Sequence, residues 1–139
     1  MSVEGLIDGW NARSGRAVAD AFVPDGVRWE LALPGARLEG RDAIAQQAQA
    51  YIDAVPDCVL DVHALRHDGQ GGAVLEWTFR GTSAGTVPGL AGAGAPIELR
   101  GVAVYDLEGG LIREERVYWD SATLVAGTTA AAGAARTGA

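Results

Sequence analysis

The sequence predicts an α+β fold in which helices come first and strands follow. Apolar residues recur at helical spacing through the first half, at Val3, Leu6, Ile7 and Trp10, then at Ile44, Ala48, Tyr51, Ile52 and Val55. From Asp57 onward the apolar period changes to two, the period of a strand. Short connections bearing Gly separate the alternating segments, as antiparallel hairpins require. Segregated helices and strands imply α+β rather than a wound α/β sheet. A strongly curved antiparallel or mixed sheet with three N-terminal helices on its concave side would form a cone, with an apolar pocket suited to a small molecule at its open end.

Each element has its own signal. The stripe Val3, Leu6, Ile7, Trp10 gives the first helix, and Gly15 interrupts it. Ala17, Val18, Ala21 and Phe22 continue as a second short helix, stopped by Pro24-Asp25-Gly26. Val27, Trp29, Leu31 and Leu33 then alternate with Arg28, Glu30 and Ala32, a half-buried strand closed by the turn Pro34-Gly35. Gly40-Arg41-Asp42 opens a longer helix that Pro56 ends, with Asp42 well placed against the positive end of its dipole. Residues 58–67, 73–80, 97–106 and 111–120 read as four strands. Residues 68–72 and 107–110 join two pairs of them as hairpin loops. Residues 81–96 hold five Gly, too many for a central strand, and form a flap, a flat dimer contact or a plain long connection. Residues 127–139 are Ala, Gly and Thr with one Arg and read as a disordered tail, leaving residues 1–126 as one domain.

Composition removes several kinds of function. The chain has 139 residues, 48% of them hydrophobic and 21% charged, enough apolar material for one core. The net charge of −7 disfavours a surface that neutralises nucleic-acid phosphates. There is no lysine, so Schiff-base chemistry and a Walker-type phosphate site are excluded. Cys58 stands alone, which leaves no intrachain disulfide and no thiolate zinc site. His63 and His67 fall on a strand, where such a spacing separates them by about 13 Å, too far to share a metal. No apolar run approaches the roughly 18 residues of a membrane span, and no basic-then-apolar leader is visible. The expectation is a cytoplasmic protein that uses carboxylates, arginines and aromatics, with no metal or nucleotide cofactor.

Candidate functional residues follow. Alternation puts Asp120, Tyr118, Arg116 and Glu114 on one face of the last strand and Trp119, Val117 and Glu115 on the other. A carboxylate beside large aromatics loses solvation, which raises its pKa toward that of a usable base; the alternative for Asp120 is a surface pair with Arg. Glu30 is a second acid/base candidate, or else a carboxylate on the solvent side of its strand. Trp10, Trp29, Trp77 and Trp119 are core or pocket-wall material, and flat rings grip polycyclic or polyene ligands. Tyr51 and Tyr118 offer hydroxyls to a substrate carbonyl or simply pack. His63 shares a face with Asp61 and Leu65, at a pocket or on a solvated sheet face.

Four stretches carry a resemblance: AFVPDGVRW, LEGRDAI, EWTFRGTSAGTVPGL and YDLEGGLIREERVYWD, in that order over roughly residues 5–125. In order and spacing the chain resembles the NTF2-like, or ketosteroid-isomerase-like, superfamily, and within it the SnoaL-like polyketide cyclases. The resemblance implies the cone fold, a homodimer, and a general acid/base at the acidic residue after the last strand's aromatic pair, which here is Asp120. There are departures. Ser83 stands where many SnoaL-like proteins have His, and residues 97–106 hold no partner His. Thr78-Phe79-Arg80 lacks the Asp of the epoxide-hydrolase pattern. Leu6 and Gly101 fall near the oxyanion Tyr and Asp of ketosteroid isomerases. The implied function is a cofactor-independent cyclase that closes a carbocyclic ring in a small, apolar polyketide-like intermediate, by acid/base or templated pericyclic closure. Two alternatives stay open: a non-catalytic small-molecule binder, and an isomerase or epoxide hydrolase on the same scaffold.

Overall fold

The computed structural model describes residues 2–32, 36–87 and 91–120. In chain order the elements are α1 (Ser2–Asn11), α2 (Gly15–Asp20), β1 (Phe22–Glu30), β2 (Ala36–Glu39), α3 (Arg41–Ala54), β3 (Val59–His67), β4 (Gly72–Thr82), β5 (Pro96–Glu108) and β6 (Leu111–Trp119). The six strands form one curled sheet in the order β2-β1-β6-β5-β4-β3. Every pairing is antiparallel except β1 with β6, which is parallel. The fold is therefore the expected α+β arrangement of three helices on a curved mixed sheet.

The helices form where the apolar stripes are. Val3, Leu6 and Trp10 of α1 and Ile44, Ala48 and Ile52 of α3 are buried against the sheet. Ser14 caps α2 by accepting from the Ala17 N–H at 3.1 Å. At Gly15 the helices touch closely: an added Cβ would sit 2.4 Å from the Ala45 carbonyl oxygen, so only Gly lets α2 lie on α3. The Gly15 N–H donates to Gln49 of α3 at 2.9 Å.

The structure corrects the sequence reading around the first strand. β1 begins at Phe22, not Val27, and runs through Pro24-Asp25-Gly26. Proline is tolerated because the β1–β6 register shifts between Phe22 and Val27, so the ladder is already broken there. β2 was not foreseen; its four residues are too few to show a pattern. Leu33, the Pro34-Gly35 turn and the 127–139 tail lie outside the described residues. The segment after β4 is tied down by Ser83, which is buried. Its hydroxyl donates to the Ala91 carbonyl at 2.6 Å and accepts from the Gly85 N–H at 3.0 Å. The serine at that position thus holds a loop together. No helix among the described residues is long and apolar enough to cross a membrane.

Candidate functional site

The helices and the inner face of the sheet enclose a partly open cavity. Its wall is mostly apolar, and Trp10, Tyr51, Trp77, Phe79 and Trp119 bring their rings to it. Trp10 meets Phe79 edge to face, with ring centroids 5.8 Å apart. Three charged side chains stand in this wall: Arg28, Glu30 and Glu115.

Strand pairing brings the three together. Arg28 and Glu30 are two residues apart on β1, so both point to the same face. Glu115 is the register partner of Arg28 on β6. Arg28 Nη1 donates to Glu115 at 2.8 Å and Nη2 donates to Glu30 at 2.9 Å. All three are buried, with Glu30 1% and Glu115 2% exposed. The Arg28 guanidinium also lies 5.9 Å from the Trp10 ring centre. Two tyrosines complete the cluster: Tyr51 of α3 donates to Glu30 at 3.2 Å and Tyr105 of β5 donates to Glu115 at 2.7 Å. The Trp119 indole N–H donates to the other Glu30 oxygen.

The electrostatics follow from burial and pairing. Burial pushes the Glu115 carboxyl above its ordinary value, and the neighbouring Glu30 adds to this, against the pull of Arg28 and Tyr105. Burial, and next the adjacent carboxylates, raise the Tyr51 and Tyr105 hydroxyls, so both remain protonated donors at neutral pH. Burial works against the Arg28 charge, but Glu115 and Glu30 more than offset it and leave the guanidinium firmly protonated. One cation faces two carboxyl groups, so the cluster carries an excess of one negative charge when both are ionised. Buried clusters of this kind are expensive to assemble, and clefts that hold them are functional-site candidates.

A model of the SnoaL-like polyketide cyclase family matches residues 1–127. The chain belongs to that family. No curated protein matches the sequence. Among solved structures, a candidate polyketide cyclase from Xanthomonas campestris pv. campestris is similar at TM-score 0.76 and 21% identity, over 91% of this chain and 93% of that one. IdmH of Streptomyces antibioticus, another candidate polyketide cyclase, gives TM-score 0.75 and 20% identity, over 91% and 94%. A protein of ketosteroid-isomerase-like fold from Catenulispora acidiphila, solved with trimethylamine, gives 0.77 and 16%, over 92% of each chain. At these identities the likeness concerns the fold.

Within this SnoaL-like chain, the cavity gathers part of the set anticipated from sequence. Glu30, Trp10, Tyr51, Trp77 and Trp119 line it. Asp120 does not: it is exposed past the end of β6 and has no place in the cavity wall. Tyr118, on the same side of the strand as Asp120, is 47% exposed. Alternation carried both away from the interior once Trp119 turned inward. Trp29 points away from the cavity as well, with the Arg37 guanidinium 5.2 Å from its ring centre. His63 is exposed and sits 2.7 Å from the Thr78 hydroxyl, outside the cavity. Arg28, Glu115 and Tyr105 were missed. Glu115 had a legible signal, since it shares a strand face with Val117 and Trp119 and a carboxylate among apolar residues needs a partner. Arg28 lies on the same strand face as the candidate Glu30, but an arginine in an alternating strand gives no sign in the sequence that it is buried.

Proposed function

We propose that the chain is a cofactor-independent cyclase that closes a carbocyclic ring in a polyketide-like intermediate, with Glu30 as its general base. The observation that carries this reading is the buried Glu30–Arg28–Glu115 cluster set into an otherwise apolar, aromatic wall. Family membership supports a cyclase or isomerase type of reaction. The cavity wall supports a small apolar substrate.

The chemistry uses only side chains of this chain. A carboxylate offers about four lone-pair positions. Arg28, Tyr51 and Trp119 occupy three on Glu30. The position left over takes a proton from a carbon next to a substrate carbonyl. The C–H pair becomes the enolate, the enolate carbon attacks a second carbonyl carbon, and the new alkoxide recovers the proton from Glu30. Arg28 and Tyr51 orient the base throughout, and Glu115 with Tyr105 holds Arg28 in place. Trp10, Trp77 and Trp119 fold the flexible chain against flat surfaces, and such pre-positioning supplies up to roughly 7–11 kcal/mol in the best cases. Asp120, exposed, has no part in this scheme.

The test is product formation from a linear poly-β-keto thioester, followed by mass spectrometry and NMR. Glu30→Gln keeps the shape and loses the base, and the rate of ring closure should fall about 10²–10⁴-fold. Ring closure at an undiminished rate would overturn the general-base role and leave templating as the source of catalysis.

A further inference from the structure

We infer that Arg28 receives the oxygen of the reacting carbonyl, and that the site therefore selects a neutral ketone, ester or thioester over a free carboxylate. This rests on the reading of Glu30 as base and names the substrate group that the base acts upon.

Two observations support it independently of the family. The first is unspent hydrogen-bonding capacity. Hydrogen bonds take up Nη1 and Nη2 of Arg28 once each, to Glu115 and Glu30. Nε has no partner among the described residues, although the side chain is only 7% exposed and lies in the cavity wall. A buried guanidinium with unanswered N–H groups calls for an acceptor atom. Nearby side chains do not supply one, since Tyr51, Tyr105 and the Trp119 indole all donate to the two carboxylates. A carbonyl oxygen entering the cavity beside Arg28 would supply the acceptor these N–H groups lack.

The second observation is charge. Glu30 and Glu115 against a single Arg28 leave the cluster one charge negative when both are ionised. A carboxylate ligand would add a second negative charge inside apolar walls, where like charges repel strongly. A neutral carbonyl oxygen answers the free N–H groups and adds no charge. Proton transfer then keeps the total constant. Glu30 becomes neutral as it gains the proton, and the enolate oxygen becomes negative beside the same guanidinium. The charge moves from one neighbour of Arg28 to another, so no new charge has to be solvated during the reaction.

A matched pair of probes tests this without any turnover. 2-Acetylnaphthalene and 2-naphthoate have the same ring system and nearly the same shape, one with a methyl ketone and one with a carboxylate. Binding is measured by tryptophan fluorescence at a pH where naphthoate is fully ionised, and the Arg28 Nε–H is followed by ¹⁵N NMR on the intact wild-type protein. The ketone should bind at least about tenfold more tightly than the carboxylate, and the Arg28 Nε–H resonance should move in the ketone complex. Naphthoate binding as tightly as the ketone, an unmoved Nε–H resonance in the ketone complex, or no binding of either probe would each overturn the inference. Failure of the base assignment looks different: the ketone would still bind at Arg28, while Glu30→Gln would cyclise substrate as fast as the wild type.

Discussion

Glu115 is buried among apolar side chains and ordinarily ionises near pH 4.5; in the folded protein burial raises that value. The folded state therefore holds this proton longer than the unfolded chain does. The sign follows from linkage: the contribution of Glu115 to stability is fully present below its ordinary value and is lost as pH rises through the raised one. Urea unfolding of the wild type and Glu115→Gln across this range should show the wild type losing stability relative to the variant as pH rises above 4.5. A difference that stays flat, or grows with pH, contradicts the assignment. Arg28 is the other sensitive position. Arg28→Met leaves two buried carboxylates without their shared cation, and should cost about 3–5 kcal/mol in the same measurement. These residues were only partly legible beforehand. Glu30 could be singled out because it interrupts an aromatic and aliphatic strand. Asp120 attracted attention because of the aromatic pair before it, but one step of alternation separates it from the interior. A resemblance places a residue type at a position and does not say which way its side chain turns.

At the scale of elements, the informative strand is β1. Alternation in Val27–Leu33 is plain in the sequence, but it leaves open which face meets the cavity. Arg28 and Glu30 are buried, as is Val27, while Leu31 is 46% exposed. The rule that polar residues face water fails here because Arg28 and Glu30 are satisfied inside by one another and by Glu115, Tyr51 and Trp119. β5 makes the complementary contribution through an absence. An added Cβ at Gly101 would lie 2.4 Å from the Trp77 ring and 2.7 Å from the Tyr118 carbonyl oxygen. The carbonyl belongs to the neighbouring strand and cannot swing aside. Gly101→Ala should therefore destabilise the protein by about 1–3 kcal/mol and displace the Trp77 indole, weakening 2-acetylnaphthalene binding in the same variant. Unchanged stability and unchanged binding would show that the indole does not depend on the bare backbone beneath it.

The order of helices and strands was legible across the whole molecule, because periods of 3.6 and two are properties of long segments. The parallel β1–β6 pairing was not, since nothing local in either strand records its neighbour's direction. The far side of the sheet is the second feature that emerges only at this scale. Val74, Val102, Val104 and Tyr118 share the face turned away from the helices, and Val74 and Tyr118 are exposed. A second copy of the chain is the occupant expected from the family resemblance. Sedimentation equilibrium should give a dimer for the wild type and a monomer for Val104→Arg, which buries a charge in that contact; a monomeric wild type contradicts this expectation.

In the proposed function, Glu30 abstracts a proton from the substrate inside the cavity. The most direct measurement is deuterium uptake from D₂O into the methyl group of 2-acetylnaphthalene, followed by NMR with wild type, Glu30→Gln and Asp120→Asn. The wild type should catalyse the exchange, Glu30→Gln should slow it about 10²–10⁴-fold, and Asp120→Asn should exchange at the wild-type rate. Exchange that survives loss of Glu30, or that disappears with Asp120, would contradict the account.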